Sequence, residues 1–449
     1  MKTETIAAII TPLGTGGVAG LRLSGAKALE IANKMFEATT EGGLKPRIAT
    51  YGKIKATGFF DEGLAIYFKA PSSFTGEDCV EFFTHGGTHI AKGVLEACLK
   101  NGARMAENGE FSKRAVLNGK MDLAQAEGIV DMINATSDAG VRAGFSQLQG
   151  GLSRRIAGLQ DKLTGVLAEI EVTLDFPEHD IEVKTLDELI LNPLITVRNE
   201  LASLIETSKA GRMIKHGVSV AIVGLPNAGK SSLLNAMLGY ERAIVSGEKG
   251  TTRDVVTESY SYNGVQFILS DTAGLRESDN AVEKMGIART FDEIERADIV
   301  LYLLDSETGV TADDERLLKM IADRPHLVVA SKSDKAKIES DINPIVVSSK
   351  TSKGISELKG TIFDIVFEGN KVSTLDEVYI TSLRHMQAMS ASLNSIKTAI
   401  NKLSETRQDT LDMLSIYVRT AWLALGGVTG TTSNEAVLDA VFSKFCLGK

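Results

Sequence analysis

Gly224-Leu225-Pro226-Asn227-Ala228-Gly229-Lys230-Ser231 is a complete G-x-x-x-x-G-K-[ST] match, and its flanks decide the fold. Val218-Ser219-Val220-Ala221-Ile222-Val223 before it is apolar and β-branched, the pattern of a buried strand. Ser232-Leu233-Leu234-Asn235-Ala236-Met237-Leu238 after it reads as the first turns of a helix. In a strand, glycine loop and helix of this kind, backbone N–H groups turn onto phosphate oxygens, and the helix N-terminus adds partial positive charge. Lys230 is placed to reach the β- and γ-phosphates and Ser231 to ligate magnesium, with Ala228, Gly229 and Ser232 in the same cradle. The alternative, a glycine-rich turn that binds nothing, is disfavoured by these flanks.

Five further segments, in order, make the nucleotide a guanine nucleotide. Gly250-Thr251-Thr252-Arg253-Asp254 offers threonine hydroxyls to magnesium and the γ-phosphate. Phe267–Ser270 is a strand running into Asp271-Thr272-Ala273-Gly274, where Asp271 serves the magnesium shell and the Gly274 N–H senses the γ-phosphate. Ile299–Asp305 and Leu327–Ala330 are further buried strands. Ser331-Lys332-Ser333-Asp334 puts a carboxylate where guanine presents N–H donors, and Ser348-Ser349-Lys350 offers backbone to the base oxygen. This alternation predicts a doubly wound α/β sheet with its ligand at the strand carboxyl ends. Guanine motifs usually begin with asparagine, whose amide also ties the base loop to the phosphate loop. With Ser331 in that place, guanine specificity is expected to survive through Asp334 with weaker binding. Leu275 occupies the position where many GTPases carry a water-orienting glutamine. Glu283 is within reach on the same segment, although a solvated carboxylate at a helix start is the blander reading.

The rest of the chain divides around this core. Its 449 residues allow about three domains. Hydrophobic and charged contents of 43% and 24% are those of soluble globular protein. No apolar run approaches a membrane span, and Met1–Thr5 opens without a signal-peptide layout. Three cysteines make no disulfide framework, which fits a reducing cytoplasm. A net charge of −9 does not advertise nucleic-acid binding, so any RNA contact needs a local patch or a partner. Residues 1–118 read as a small α/β domain, with strands near Ile6–Ile10, Gly20–Leu23 and Gly63–Phe68 and a helix at Ala26–Phe36. Its glycine-bearing loops, Thr11–Gly17 and Pro71–Asp78 with the following Val80–Gly87, are either turn chemistry or a ligand site. Leu148, Leu152, Ile156, Leu159, Leu163, Val166, Ile170 and Leu174 form one apolar stripe on a long helix, ended by Asp175-Phe176-Pro177. Helical patterning returns over Leu186–Lys209, Thr381–Leu403 and Thr410–Leu425. One helical domain in two segments, 119–212 and 371–449, then encloses a G domain at 213–370; two independent helical domains are the alternative.

Gly224–Asn235, Gly250–Asp254, Asp271–Glu277 and the closing Phe445-Cys446-Leu447-Gly448-Lys449 resemble the tRNA-modification GTPase family MnmE (TrmE). The resemblance spans essentially the whole chain, including Pro71–Asp78, His85–Gly87 and Ala115–Leu123. It implies α/β plus α architecture: a P-loop GTPase domain inserted into a discontinuous helical domain, preceded by a tetrahydrofolate-binding, dimerising domain. It implies a cytoplasmic homodimer forming a heterotetramer with the FAD-dependent partner MnmG (GidA). Together these place a carboxymethylaminomethyl or aminomethyl group on the wobble uridine of tRNA, using a folate one-carbon unit. By the same resemblance GTP hydrolysis depends on G-domain pairing and on potassium, with Asn227, Ser246, Glu248 and Thr251 around the ion and Ser231 and Thr252 on magnesium. Glu283 matches the catalytic glutamate, twelve positions after Asp271, and Cys446 the cysteine implicated in the modification. Arg22, Glu77, Lys120 and Lys449 match folate positions. Thr15, Gly247 and Ser331 depart from the usual pattern. An Era-like ribosome-assembly switch shares the G-domain motifs but leaves the N-terminal domain and the tail unexplained; a non-hydrolysing scaffold is the third reading.

Overall fold

The computed structural model describes residues 4–175, 186–239, 258–271, 293–337, 342–368, 378–405 and 411–448. The chain forms two compact units. One comprises Met1–Val130, Gln147–Asn199 and Gln387–Lys449, the other Asp131–Ser146 and Glu200–Met386.

The first unit opens with β1 (Ile6–Ile9), β2 (Val18–Ser24), α1 (Ala28–Met35), β3 (Phe36–Ala38), β4 (Ala49–Lys55), β5 (Phe60–Phe68), β6 (Cys79–His85), α2 (Thr88–Lys100), β7 (Arg104–Met105) and α3 (Glu110–Leu117). The strands form one sheet in the order β3-β4-β5-β6-β2-β1-β7, antiparallel except at β1–β7. Side-chain alternation sends Ala7 of β1 into the cluster that α1 and α2 cover, while Ile6 and Ala8 pack with Phe111 of α3. Val80–His85, read as part of a loop, is strand β6, with Leu23↔Val80 and Leu21↔Phe82 in register on β2.

Helices α4 (Leu123–Asn134), α5 (Asp138–Leu148) and α6 (Gly151–Asp175) follow. The long stripe is therefore interrupted. Gly150, at φ +77°, ends α5, so Leu148 belongs to a different helix from Leu152, Ile156, Leu159, Leu163, Val166 and Ile170, all buried on α6. The α6 face packs along the helix Leu411–Thr429, where the Trp422 indole N–H donates to Thr164 Oγ1 at 3.1 Å. The helix Glu435–Phe442 and the turn after it bring Leu438, Phe442 and Phe445 onto Leu123 and Ala126 of α4.

The second unit carries a six-stranded sheet of order β13-β12-β11-β8-β10-β9. Its members are β8 (Val218–Gly224), β9 (Glu258–Tyr262), β10 (Val265–Asp271), β11 (Ile299–Asp305), β12 (His326–Ser331) and β13 (Ile345–Val346), parallel except for β9. Val218, Val220 and Ile222 of β8 face the core shared with the helices Lys230–Leu238 and Ile355–Val366. Ala221 and Val223 face a second core on the opposite side. A strand buried on both faces is why β8 reads as a near-continuous apolar run. The turn between β9 and β10, Asn263-Gly264, has φ +50° and +76°, the pair a tight hairpin demands. Its Gly264 carbonyl accepts from the Ala139 N–H of α5 at 2.8 Å. Among the described residues no helix is long and apolar enough to cross a membrane.

Candidate functional site

The phosphate loop leaves the carboxyl end of β8, between β10 and β11 in the sheet, where crossovers part to opposite sides and leave a crevice. A Cβ added to Gly224 would lie 2.5 Å from the Leu303 carbonyl of β11, so only glycine lets the strands pair this far. Asn227 and Gly229 take left-handed conformations, φ +63° and +94°, which turn the chain into the helix Lys230–Leu238. The N-cap of that helix is Gly229, which has no side chain of its own to place over the first turn. The Lys230 ammonium folds over the loop and donates to the Gly224 and Leu225 carbonyls at 2.9 and 3.0 Å. Asp271 closes β10 directly opposite Ile222 of β8, placing its backbone at the same sheet edge.

The base loop leaves β12, two strands from β8 across β11. Ser331 is buried beneath the phosphate loop, its hydroxyl 2.7 Å from the Ala228 carbonyl and 3.0 Å from the Leu304 carbonyl. The tie that asparagine usually makes is thus kept by a shorter side chain. Lys332 at φ +58° donates to Asp305 Oδ2 at 2.6 Å and lies 3.4 Å from Glu307 Oε2. Burial pushes the Asp305 carboxyl up, but the Lys332 ammonium and the Glu307 N–H outweigh it and hold it below its ordinary value. The Ser348 hydroxyl donates to Asp334 Oδ1 at 2.7 Å and holds that carboxyl low as well, so Asp334 stays an ionised acceptor. Ser348 itself is anchored by its N–H to the Lys353 carbonyl at 3.0 Å, with Ser349 and Lys350 in the turn between them. Asp305 and Glu307 are partners that motif reading does not supply, because their pairing with Lys332 joins β11 to β12.

Ser246, Glu248, Thr251, Thr252, Gly274, Leu275, Glu283 and Lys449 lie outside the described residues, as does the Asp271 side chain. Among the described residues no cluster of three His, Cys, Asp or Glu side chains can hold a metal ion.

The N-terminal candidates fall into two networks. Arg22 on β2 donates to Glu81 Oε1 at 2.8 Å, and its guanidinium carbon lies 4.5 Å from the centre of the Phe74 ring and 5.5 Å from that of Phe111. Phe74, Lys120 and Arg47 share a cavity of about 580 Å³ with Ile66 and Phe68. Glu77 accepts from Ser24 at 2.7 Å and from the buried Arg114 at 3.0 Å. Phe74 is therefore the common neighbour of Arg22 and of the cavity Lys120 lines. Arg47 and Arg114 escape motif reading, though Glu110 and Arg114 stand at helical i,i+4 spacing. Cys446 is exposed, its carbonyl accepting from the Gly109 N–H at 3.4 Å, whereas Cys79 and Cys98 are buried. Burial pushes the Cys98 thiol up to about 12.

A family model described as GTP-binding protein TrmE N-terminus matches residues 5–120, and one described as MnmE helical domain matches residues 123–446. The tRNA modification GTPase MnmE of Acetivibrio thermocellus is 40% identical over all of both chains. The chain belongs to the MnmE family. A second MnmE relative, from Desulforamulus reducens, is also 40% identical over all of both chains. The MnmE protein of Alkaliphilus oremlandii is 38% identical over 99% of each. Membership makes this chain a GTP hydrolase, with the G domain inserted in the discontinuous helical part of the MnmE fold.

Proposed function

We propose that this chain is the GTP-hydrolysing subunit of a tRNA wobble-uridine modification system. The observation that carries the reading is the joined site: phosphate loop and base loop at the carboxyl ends of one parallel sheet, tied by Ser331, in a chain of the MnmE family. Residues 1–118 bind a tetrahydrofolate derivative and dimerise; 119–212 and 371–449 are the helical domain; 213–370 are the G domain. Asn227, Ala228, Gly229, Lys230, Ser231 and Ser232 hold the phosphates, and a helix N-terminus capped by a glycine suits that task. Asp334, held ionised by Ser348, reads the guanine N–H groups, while Lys332, braced by Asp305, lies along the base. Ser231 and Thr252 would hold magnesium, and Asn227, Ser246, Glu248 and Thr251 would hold potassium, cations that would supply positive charge against the charge developing in hydrolysis. Glu283 orients the attacking water. Arg22, Glu77, Lys120 and Lys449 serve the folate, and Cys446 takes part in the modification. Modification proceeds in the cytoplasm with an FAD-dependent partner of the MnmG type, in a heterotetramer built on the homodimer.

The deciding experiment is nucleoside analysis of tRNA from cells lacking this protein. Loss of carboxymethylaminomethyl- or aminomethyluridine, restored by the intact gene, is the expected result. A full complement of both nucleosides in the deletion strain overturns the reading.

A further inference from the structure

Guanine presents two polar edges. Asp334 suits the edge carrying N1–H and the amino group, and the opposite edge carries N7, which needs a donor. Ser331 opens the base loop, and its hydroxyl has a single proton. Two main-chain carbonyls compete for that proton, Ala228 in the phosphate loop at 2.7 Å and Leu304 in β11 at 3.0 Å. The residue is only 2% exposed. Whichever carbonyl takes the proton, none is left for a nucleotide. A carboxamide here has two N–H protons and can hold the loop and donate to a base together, which a serine cannot do. The other side-chain donors of the base loop are either engaged or closed off from the nucleotide. The Ser333 N–H goes to the Val347 carbonyl at 3.2 Å, the Ser333 hydroxyl is shut off from solvent, and ionised Asp334 can only accept. The Lys332 ammonium is held between Asp305 and Glu307. The same hydroxyl instead supports the phosphate loop from below: a Cβ built on Gly229 would find Ser331 Oγ and Cβ as its nearest atoms, at 3.8 and 3.9 Å.

We infer that Ser331 is a positioning residue for the phosphate loop, and that the base loop leaves the N7 edge of the guanine unread. The inference rests on Ser331–Asp334 being the guanine loop. It is tested by equilibrium binding of GDP, 7-deaza-GDP, IDP and ADP to the full chain, diphosphates being chosen to avoid turnover. GDP and 7-deaza-GDP are expected to bind within about twofold of each other, since a donor on N7 would separate them by roughly three- to tenfold. IDP, which lacks the amino group, and ADP are expected to bind at least about tenfold more weakly than GDP. A clear preference for GDP over 7-deaza-GDP, with IDP still weak, overturns the inference alone. Equal binding of GDP, IDP and ADP overturns the assignment of the base loop and the inference with it. Ser331→Ala is expected to weaken GDP and 7-deaza-GDP equally, by about three- to tenfold. A folded Ser331→Ala protein with unchanged affinity removes the supporting role. The four-nucleotide comparison needs no variant, so it decides the N7 question even where Ser331→Ala fails to fold.

Discussion

Leu275 follows Asp271–Gly274 with a side chain that can neither donate nor accept, so a water in line with the γ-phosphate needs another partner. Glu283→Ala is expected to lower kcat about a hundredfold while leaving GTP affinity nearly unchanged, read by single-turnover kinetics beside nucleotide titration. A variant that loses affinity and keeps its turnover makes Glu283 structural. Asn227 stands in a left-handed turn of the phosphate loop. GTP hydrolysis is expected to run faster in potassium than in sodium, with Asn227→Ala abolishing the difference; equal rates in the unaltered protein refute the potassium site. In the first compact unit, the exposed His85 ring is held above its ordinary value of 6.5 by its hydrogen bond to Asp61 at 2.7 Å. Burial raises Asp61, but the His85 ring and N–H outweigh it and keep the carboxyl below 3.8. The pair's contribution is thus complete between those two values. It fades as pH rises through the elevated His85 pKa, and again as pH falls through the depressed Asp61 pKa. A histidine NMR titration should place His85 above 6.5, and Asp61→Asn should bring it back down; no difference between the two proteins refutes the pairing.

Among the elements, the β8 loop is the one that tolerates least. Gly224→Ala drives a methyl against the Leu303 carbonyl across the β8–β11 pair, and is expected to destabilise the protein by about 1–3 kcal/mol and to impair nucleotide binding. Thermal unfolding beside GDP titration checks this, and an unchanged Tm with full affinity contradicts it. What could be read from sequence follows burial. Ile299–Asp305 is apolar on both faces, so the predicted strand and the observed β11 share both ends. Cys79–His85 is buried on one face, carries Glu81 between its apolar residues and ends on Thr84 and His85, so its strand identity is masked beside the polar loop before it. The stripe on α6 was legible, but its break was not. Helical spacing carries across Gly150 unchanged in a one-dimensional pattern, while the left-handed φ there ends α5. The nucleotide-site motifs were legible because each is local in sequence. The Lys332–Asp305, Ser348–Asp334 and Arg114–Glu77 pairs were not, because each forms only when distant segments fold together.

For the whole molecule, Arg22 and the phosphate loop belong to different compact units, each with its own core. Arg22→Ala removes the group over Phe74 and is expected to weaken tetrahydrofolate binding several-fold while GTP turnover stays unchanged. Unchanged folate affinity takes Arg22 out of that site. The route of the chain carries one more consequence, in time rather than in space. Phe442 and Phe445 complete the apolar cluster around Leu123, and a Cβ on Gly109 would meet the Phe442 carbonyl at 2.6 Å. On the ribosome, the cluster around Leu123 is therefore sealed by residues made about three hundred positions later, while Glu200–Met386, made in between, can close beforehand. Nascent chains spend the interval with that face of α4 uncovered, so chaperone demand should fall on α4 rather than on the segment between, and loss of Phe442 and Phe445 should harm the α4 region more than Glu200–Met386.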